Sequence, residues 1–208
     1  MLFRDRKDAA SRLAEALAQY RGQHPLVLAI PRGAVPMAKI IAEALGGEVD
    51  VVLVRKLRAP DNPEFAIGAV DETGWTYLGD YAGQVAGSSQ YIEVEKEMQL
   101  KVMRERRASY TPVRPPLDPA GRIVIVVDDG LATGSTMIAA LHALRAKSPQ
   151  KLICAVPVAP PDTLDKVEPY ADEVVCLSAP AMFYAVGQFY QSFPQVSDEE
   201  VIALLAAD

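Results

Sequence analysis

Short apolar runs that alternate with helical segments constrain the fold of this chain more than any other feature. Each run is closed by turn residues, as in strands buried on both faces of a sheet. Between the runs, apolar positions recur at helical spacing. The predicted strands are residues 26–30, 51–54, 123–127, 152–157 and 174–177, and the predicted helices cover residues 5–20, 35–45, 89–109 and 136–146, a short stretch before residue 174, and a last helix opened by a capping box at 197–200. This alternation predicts an α/β fold with a mostly parallel sheet flanked by helices.

Length and charge narrow the class of protein further. The chain has 208 residues, of which 50% are hydrophobic and 23% charged, so residues 1–208 can form one domain with a full core. The net charge of −6 argues against a general nucleic-acid or anionic-membrane binder. Without an 18-residue apolar run or a signal-peptide core, the sequence predicts a cytoplasmic protein with no membrane partner. Cys154 and Cys176 lack CxxC partners, and two histidines do not suggest a metal cluster.

The segment 123–136 carries the clearest functional pattern. An apolar strand ends at two carboxylates, Asp128 and Asp129, and a loop of small and hydroxyl residues then enters a helix. Loop amides, hydroxyls and a helix N-terminus can all point at one anion, which predicts a phosphate site. Its members are Ala132, Thr133, Gly134, Ser135 and Thr136. Two acids beside such a site suit a sugar phosphate, whose hydroxyls they can bind. The alternative, an acidic turn that only caps the helix, would need a single capping side chain.

Cationic residues follow the first two predicted strands. Pro31, Arg32 and Gly33 form a strand-to-helix turn whose amides and guanidinium could bind an anion. Arg55 and Lys56 end the second predicted strand, so we expect them at the carboxyl edge of the sheet, where open α/β folds bind ligands. The alternative for residues 31–33 is a plain turn with a surface arginine. The alternative for Arg55 and Lys56 is a pair of solvated charges after a strand.

Residues 57–87 interrupt the alternation of strands and helices. This segment is rich in Pro and Gly and has strand-like pieces at 66–70 and 76–78, which predicts an excursion from the sheet, and long excursions are often functional. Its carboxylates Glu64, Asp71 and Glu72 are candidate bases, among which the sequence does not choose. The charged helix that follows is expected to be solvated, including the basic residues near its end.

Aromatic residues concentrate at positions 183–193. They could stack on a planar base or form a small satellite core, and the sequence leaves both open. The base-side candidates are Phe183 and Tyr184, together with Val158 and Ala159 at the end of the predicted strand 152–157.

The segment 123–136 resembles the phosphoribosyl-pyrophosphate signature of type I phosphoribosyltransferases, and the chain as a whole resembles the uncharacterised bacterial group of that family. The resemblance implies that Asp128 and Asp129 hold the ribose hydroxyls and that residues 132–136 hold the 5-phosphate. It implies that the turn at 31–33, with Arg55 and Lys56, holds pyrophosphate. Residues 57–87 would form a lid, and residues 178–208, with the N-terminus, a small hood over the base.

The resemblance also implies the reaction and its partners. Ribose 5-phosphate would move between phosphoribosyl pyrophosphate and a nucleobase, in nucleotide salvage, releasing pyrophosphate and a nucleoside monophosphate. Mg²⁺ would be the cofactor and would enter on the ligand, with Asp128 or Asp129 as the side chains able to contact it. Dimers are common in the family. The alternative is a non-catalytic regulator of the same fold that senses phosphoribosyl pyrophosphate or a nucleotide.

One position departs from part of this family. In the enzymes for 6-oxopurines, the residue that matches Ala132 is usually an aspartate that exchanges a proton with the base. Because alanine cannot do so, hypoxanthine–guanine chemistry would need a base from elsewhere in this chain.

Overall fold

The computed structural model describes residues 1–80 and 82–207. Its strands are β1 (Leu26–Ala29), β2 (Glu48–Val51), β3 (Val54–Arg58), β4 (Ala66–Asp71), β5 (Thr76–Leu78), β6 (Ile123–Val127), β7 (Lys151–Val158) and β8 (Glu173–Ser178). Its α-helices are α1 (Arg6–Ala16), α2 (Ala34–Leu45), α3 (Ala82–Ala86), α4 (Ser89–Tyr110), α5 (Ser135–Arg145), α6 (Pro161–Val167) and α7 (Asp198–Ala206). Short 3₁₀ turns follow α1 and α6, and another covers Val186–Phe189.

The central sheet has five parallel strands in the order β2-β1-β6-β7-β8. Alternate side chains of each inner strand enter two separate cores. Val27 and Ile125 pack with α1 and α2 on one face, whereas Leu26 and Val124 pack with α5 on the other. Apolar packing on both faces explains why these strands are continuous apolar runs. The predicted α/β fold, with a parallel sheet flanked by helices, is confirmed.

A second sheet corrects two expectations. The predicted strand 51–54 is wrong, because β2 ends at Val51 and β3 begins at Val54 in a separate antiparallel sheet with the order β3-β4-β5. Four adjacent apolar residues do not reveal that the chain changes sheets between them. The segment 57–87, predicted as an excursion from the sheet, is anchored in part: its strands pack against α5 and α4, and Ile67, Ala69 and Val70 are buried.

The two ends of the chain meet above the carboxyl edge of the central sheet. Phe3 forms a parallel bridge with Tyr190, and its amide donates to the Phe189 carbonyl at 2.8 Å. The capping box predicted at Ser197 and Glu200 opens α7. Over residues 1–80 and 82–207, no helix combines the length and the apolar character needed to cross a membrane.

Candidate active site

A cavity of about 900 Å³ opens at the carboxyl ends of β1 and β6 and is covered on one side by the second sheet. Most of the predicted site residues line it. They are Pro31, Arg32, Gly33, Arg55, Lys56, Asp128, Asp129, Ala132, Thr133, Gly134, Thr136, Phe183 and Tyr184. The fold therefore brings together side chains from distant parts of the sequence.

Three predicted residues do not line this cavity. Ser135 is buried behind the loop, facing a smaller cleft of about 90 Å³ under the second sheet. Val158 and Ala159 are fully buried, and the Val158 carbonyl accepts from the Leu131 amide. The interpretation of Val158 and Ala159 as base-side residues is therefore not supported by their position, since their side chains belong to the core.

The acid pair lies directly after β6 and lines the cavity. The Asp128 side chain accepts from the Asp129 amide at 2.9 Å. Burial, and then the neighbouring charge of Asp129, raise the pKa of Asp128 well above its ordinary value. Burial also raises the pKa of Asp129, although Arg6 opposes that rise. Among the described residues, no arginine or lysine forms an ion pair with Asp128, so this carboxylate can accept hydrogen bonds from ligand hydroxyls or face a cation.

Arg6 is a part of the site that the sequence reasoning missed. Its Nε and Nη2 atoms each lie 3.3 Å from Oδ2 of Asp129, across 123 positions of sequence. The guanidinium stacks over the Phe193 ring, 3.9 Å from its centroid, and also donates to the Pro194 carbonyl. A Cβ on Gly33 would lie 2.6 Å from Oδ2 of Asp129 and 2.9 Å from Nη2 of Arg6, so a larger residue there would have to displace this pair. No local pattern around Arg6 signals such a role, because its partners lie in distant parts of the chain.

The loop after the acid pair has the geometry of an anion cradle. Gly134 has a φ of 80°, and a Cβ there would lie 2.8 Å from Cγ2 of Thr163, so glycine is required on both counts. The helix α5 begins at Ser135, and its first amides have no intrahelical partner. The hydroxyls of Thr133 and Ser135 lie 3.1 Å apart. Thr163 fixes the loop from α6 by donating to the Ala132 carbonyl at 2.6 Å.

Cations line the opposite wall of the cavity. Arg32 follows a cis peptide bond after Pro31, and its guanidinium lies 3.9 Å from Asp198. Arg55 and Lys56 do not end a strand of the central sheet, as predicted, but lie within β3 of the second sheet. Both residues nevertheless line the cavity, because this sheet folds over the carboxyl edge. Arg58, which the sequence analysis did not single out, lines the cavity beside them.

The three candidate bases of the excursion have different environments. Asp71 is buried and accepts from the amides of Thr73 and Trp75, which makes it a turn residue. Glu72 forms a bidentate pair with Arg107. Only Glu64 among these three lines the cavity. The pairing of Arg107 also corrects the expectation that the end of α4 is merely solvated.

Another part of the cavity wall is largely apolar. Leu131, Pro160, Phe183, Tyr184 and Val186 lie there. Of the aromatic cluster, Phe189 and Tyr190 are buried in the main core together with Phe3, whereas 79% of Tyr184 is exposed. The core interpretation therefore holds for Phe189 and Tyr190, whereas stacking of Phe183 and Tyr184 on a base stays a prediction.

The comparisons with known proteins bear directly on this site. The phosphoribosyl transferase domain family matches residues 3–193, which include every residue of the cavity described above. The chain belongs to the phosphoribosyltransferase family. Two Mycobacterium tuberculosis proteins, from strains CDC 1551 and H37Rv and both called "Putative phosphoribosyl transferase", are 43% identical over 206 residues. The 206 aligned residues cover 98% of this chain and 46% of each relative. The chain therefore spans about half the length of the curated relatives it matches.

Solved structures agree with the family assignment at the level of the fold. The protein TT1426 of Thermus thermophilus is 48% identical, with a TM-score of 0.81 over 99% of this chain and 98% of that one. AQ2163 from Aquifex aeolicus has a TM-score of 0.52 at 14% identity, covering 84% of this chain and 72% of that one. The latter likeness shows the fold alone.

The family implies a magnesium ion, and the cavity offers two carboxylates, Asp128 and Asp129, that could contact one. Within residues 1–80 and 82–207, no group of three or more His, Cys, Asp or Glu side chains could hold a metal. Mg²⁺ is commonly bound through one or two carboxylates plus the phosphates of a substrate. Asp128 and Asp129 can supply those carboxylates, so the donor set suits an ion that arrives with its ligand.

Proposed function

We propose that this chain is a phosphoribosyltransferase that moves ribose 5-phosphate between phosphoribosyl pyrophosphate and a nitrogenous base, with release of pyrophosphate. The observation that carries this proposal is the acid pair between an anion cradle and a cationic wall. A ligand with a phosphate at one end, hydroxyls in the middle and a pyrophosphate at the other end matches that order of groups.

Each part of the cavity has a distinct role in this proposal. The amides and hydroxyls of residues 132–136 bind the 5-phosphate, and Asp128 and Asp129 accept hydrogen bonds from the ribose hydroxyls. Arg32, Arg55 and Lys56 bind pyrophosphate and stabilise its charge as the bond to C1 breaks. The acid pair also faces the positive charge that develops on the ribose ring. The protein thereby works by positioning and electrostatics, without a covalent nucleophile.

Mg²⁺, when bound beside Asp128 and Asp129, would neutralise charge on the pyrophosphate leaving group. The apolar wall would hold the acceptor base, with Phe183 and Tyr184 at its edge. The segment around Glu64 would exclude water from the reacting centre, where hydrolysis competes with transfer. A homodimer, a cytoplasmic location and a role in nucleotide salvage stay predictions from the resemblance.

One observation favours a second candidate function, a sensor that binds the same ligand without turnover. In the described part of the chain, the apolar wall has no ionisable side chain besides Tyr184, and two of the three candidate bases are engaged elsewhere. A transferase would then need an acceptor from which no side chain has to remove a proton, or it would have to use Glu64 as the base.

Pyrophosphate release from Mg²⁺-phosphoribosyl pyrophosphate separates the two functions. The assay offers single purines, pyrimidines and small aromatic amines, with the Asp128→Asn/Asp129→Asn double variant as the blank. Release that depends on one base and is absent from the blank supports the transferase and identifies its acceptor. Ligand binding without release under any base supports the sensor, and equal release by wild type and blank contradicts the assigned site.

A further inference from the structure

The long helix α4 places two polar residues in the interior. Glu95 is 4% exposed and Gln99 is 2% exposed, one helical turn apart. The sequence analysis expected this helix to be solvated, and its neighbouring residues Glu93, Glu97 and Met98 are indeed exposed. Since buried polar side chains are costly unless they are paired, the partners of these two residues indicate what they do.

Their partners are the arginines of β3 that line the cavity. Nε of Arg55 donates to Oε1 of Gln99 at 2.9 Å. The Gln99 amide nitrogen in turn donates to Oε1 of Glu95 at 2.5 Å. Glu95 also accepts from Arg58, at 2.9 Å from Nε and 3.4 Å from Nη2. A continuous chain of hydrogen bonds therefore runs from the interior of α4 to two cations of the site.

Glutamine is well matched to the middle of this chain. Glu95 as a carboxylate only accepts hydrogen bonds, and Arg55 only donates them. The residue between them must donate to one and accept from the other, which an uncharged amide does with its two ends. The same pairing fixes which end of the Gln99 amide faces Arg55.

Gln99 also leaves the charge of Arg55 uncompensated. The charge of Glu95 is matched by Arg58, whereas Gln99 is neutral. Over residues 1–80 and 82–207, the Nη1 and Nη2 groups of Arg55 have no hydrogen bond to protein, and the side chain lines the cavity. Burial, and then the nearby Arg106, Arg58 and Arg32, lower the pKa of Arg55, and the charge of Glu95 opposes that fall without reversing it.

We propose that Gln99 is a positioning residue that holds Arg55 by its Nε and presents both terminal nitrogens to the pyrophosphate group, with Glu95 fixing the Gln99 amide and Arg58. The proposal rests on the proposed function, because it concerns the pyrophosphate end of that ligand. It gives α4, which does not line the cavity, a role in ligand affinity. A carboxylate at position 99 could still accept from Arg55, but it would lose the hydrogen bond to Glu95, repel that carboxylate and compete with the ligand for the charge of Arg55.

Calorimetric titration with inorganic pyrophosphate in the presence of Mg²⁺ tests the proposal without any turnover. Gln99→Met, which removes the hold on Arg55, is expected to weaken binding about tenfold, or ~1.4 kcal/mol. Gln99→Glu, which keeps an acceptor for Arg55 but loses the bond to Glu95 and neutralises the charge of Arg55, is expected to weaken binding by at least as much. Gln90→Met, at an exposed position of the same helix, is the matched control and should bind as the wild type does.

A double-mutant cycle with Arg55→Met distinguishes positioning from a general packing role. If Gln99 acts through Arg55, neither Gln99 variant will weaken binding further in the Arg55→Met background. Wild-type affinity in both Gln99 variants, or an undiminished loss without Arg55, overturns the proposal and leaves the proposed function intact. A wild-type protein that binds no pyrophosphate overturns the pyrophosphate site itself and this inference with it.

Discussion

At the scale of single residues, the acid pair shows a conflict between stability and binding. A buried carboxylate that stays available to a ligand lowers the stability of the folded protein. Asp128 is a carboxylate at the buried end of β6, and no arginine or lysine forms an ion pair with it among the described residues, whereas Asp129 has Arg6. A strand that ends in acids can be recognised from sequence, as can the glycine and hydroxyls after it. The counterion of Asp129 cannot be recognised from sequence. Arg6 reaches Asp129 only because the segment around Phe3 pairs with the segment around Tyr190.

The pKa of Asp128 predicts how stability depends on pH. Its folded-state pKa is raised, so between the ordinary value and the raised one the folded protein holds more protons than the unfolded chain. Stability therefore falls as pH rises through this window. Asp128→Asn keeps the oxygen that accepts from the Asp129 amide and removes the buried charge. We expect the variant to be more stable above the window, by about 1.4 kcal/mol per unit of pKa shift removed.

Urea unfolding at pH 5 and pH 8 measures this effect. The gain should be larger at pH 8 than at pH 5, whereas Asp165→Asn, at an exposed position of α6, should change little at either pH. A variant that is less stable than wild type at pH 8 would show that burial of the Asp128 charge is compensated in a way this account omits.

At the scale of elements, the second sheet divides the excursion into an anchored part and a free part. Trp75 stacks on His142 of α5 with ring centroids 3.6 Å apart and planes 8° apart. Residues 60–65, in contrast, are all exposed, and Pro63, Glu64 and Phe65 line the cavity. Proline and glycine content predicted an excursion, but only the stacking and the buried face of β4 show which part of it is fixed.

Hydrogen exchange tests this division directly. Amides of β4 are expected to be protected and those of residues 60–65 to exchange rapidly, because local opening is easiest where few apolar contacts exist. Trp75→Ala should increase exchange in β4 and β5, whereas Trp75→Phe, which retains an aromatic ring against His142, should have a smaller effect. Equal, rapid exchange over 60–71 in wild type would mean that the whole excursion opens as one unit.

At the scale of the whole molecule, the N-terminal and C-terminal segments jointly close the site. Phe3 is fully buried against Tyr190, whose hydroxyl donates to the Asp129 carbonyl at 2.7 Å. The parallel sheet and its helices could be predicted from local patterns, since apolar runs and helical spacing are properties of neighbouring residues. This closure and the return of β3 over the sheet edge depend on long-range pairing, which such patterns do not encode.

Phe3→Ala tests the importance of that closure. Removing a fully buried phenylalanine is expected to cost about 3–5 kcal/mol of the free energy of unfolding. Leu2→Ala, at the neighbouring position that is 51% exposed, should stay within about 0.5 kcal/mol of wild type. The comparison is made by urea unfolding at pH 7, and a similar small effect of both variants would show that the N-terminal segment is dispensable for stability.

Binding of phosphoribosyl pyrophosphate tests the central claim most directly, because it requires the cradle, the acid pair and the cationic wall together. Calorimetric titration with Mg²⁺ present is made on wild type, on Asp128→Asn/Asp129→Asn, and on the exposed control Asp165→Asn/Glu168→Gln. We predict one site per chain in wild type and in the control, and at least a tenfold loss of affinity, about 1.4 kcal/mol, in the acid-pair variant. No binding by wild type, or equal binding by all three proteins, would contradict the assignment of this cavity.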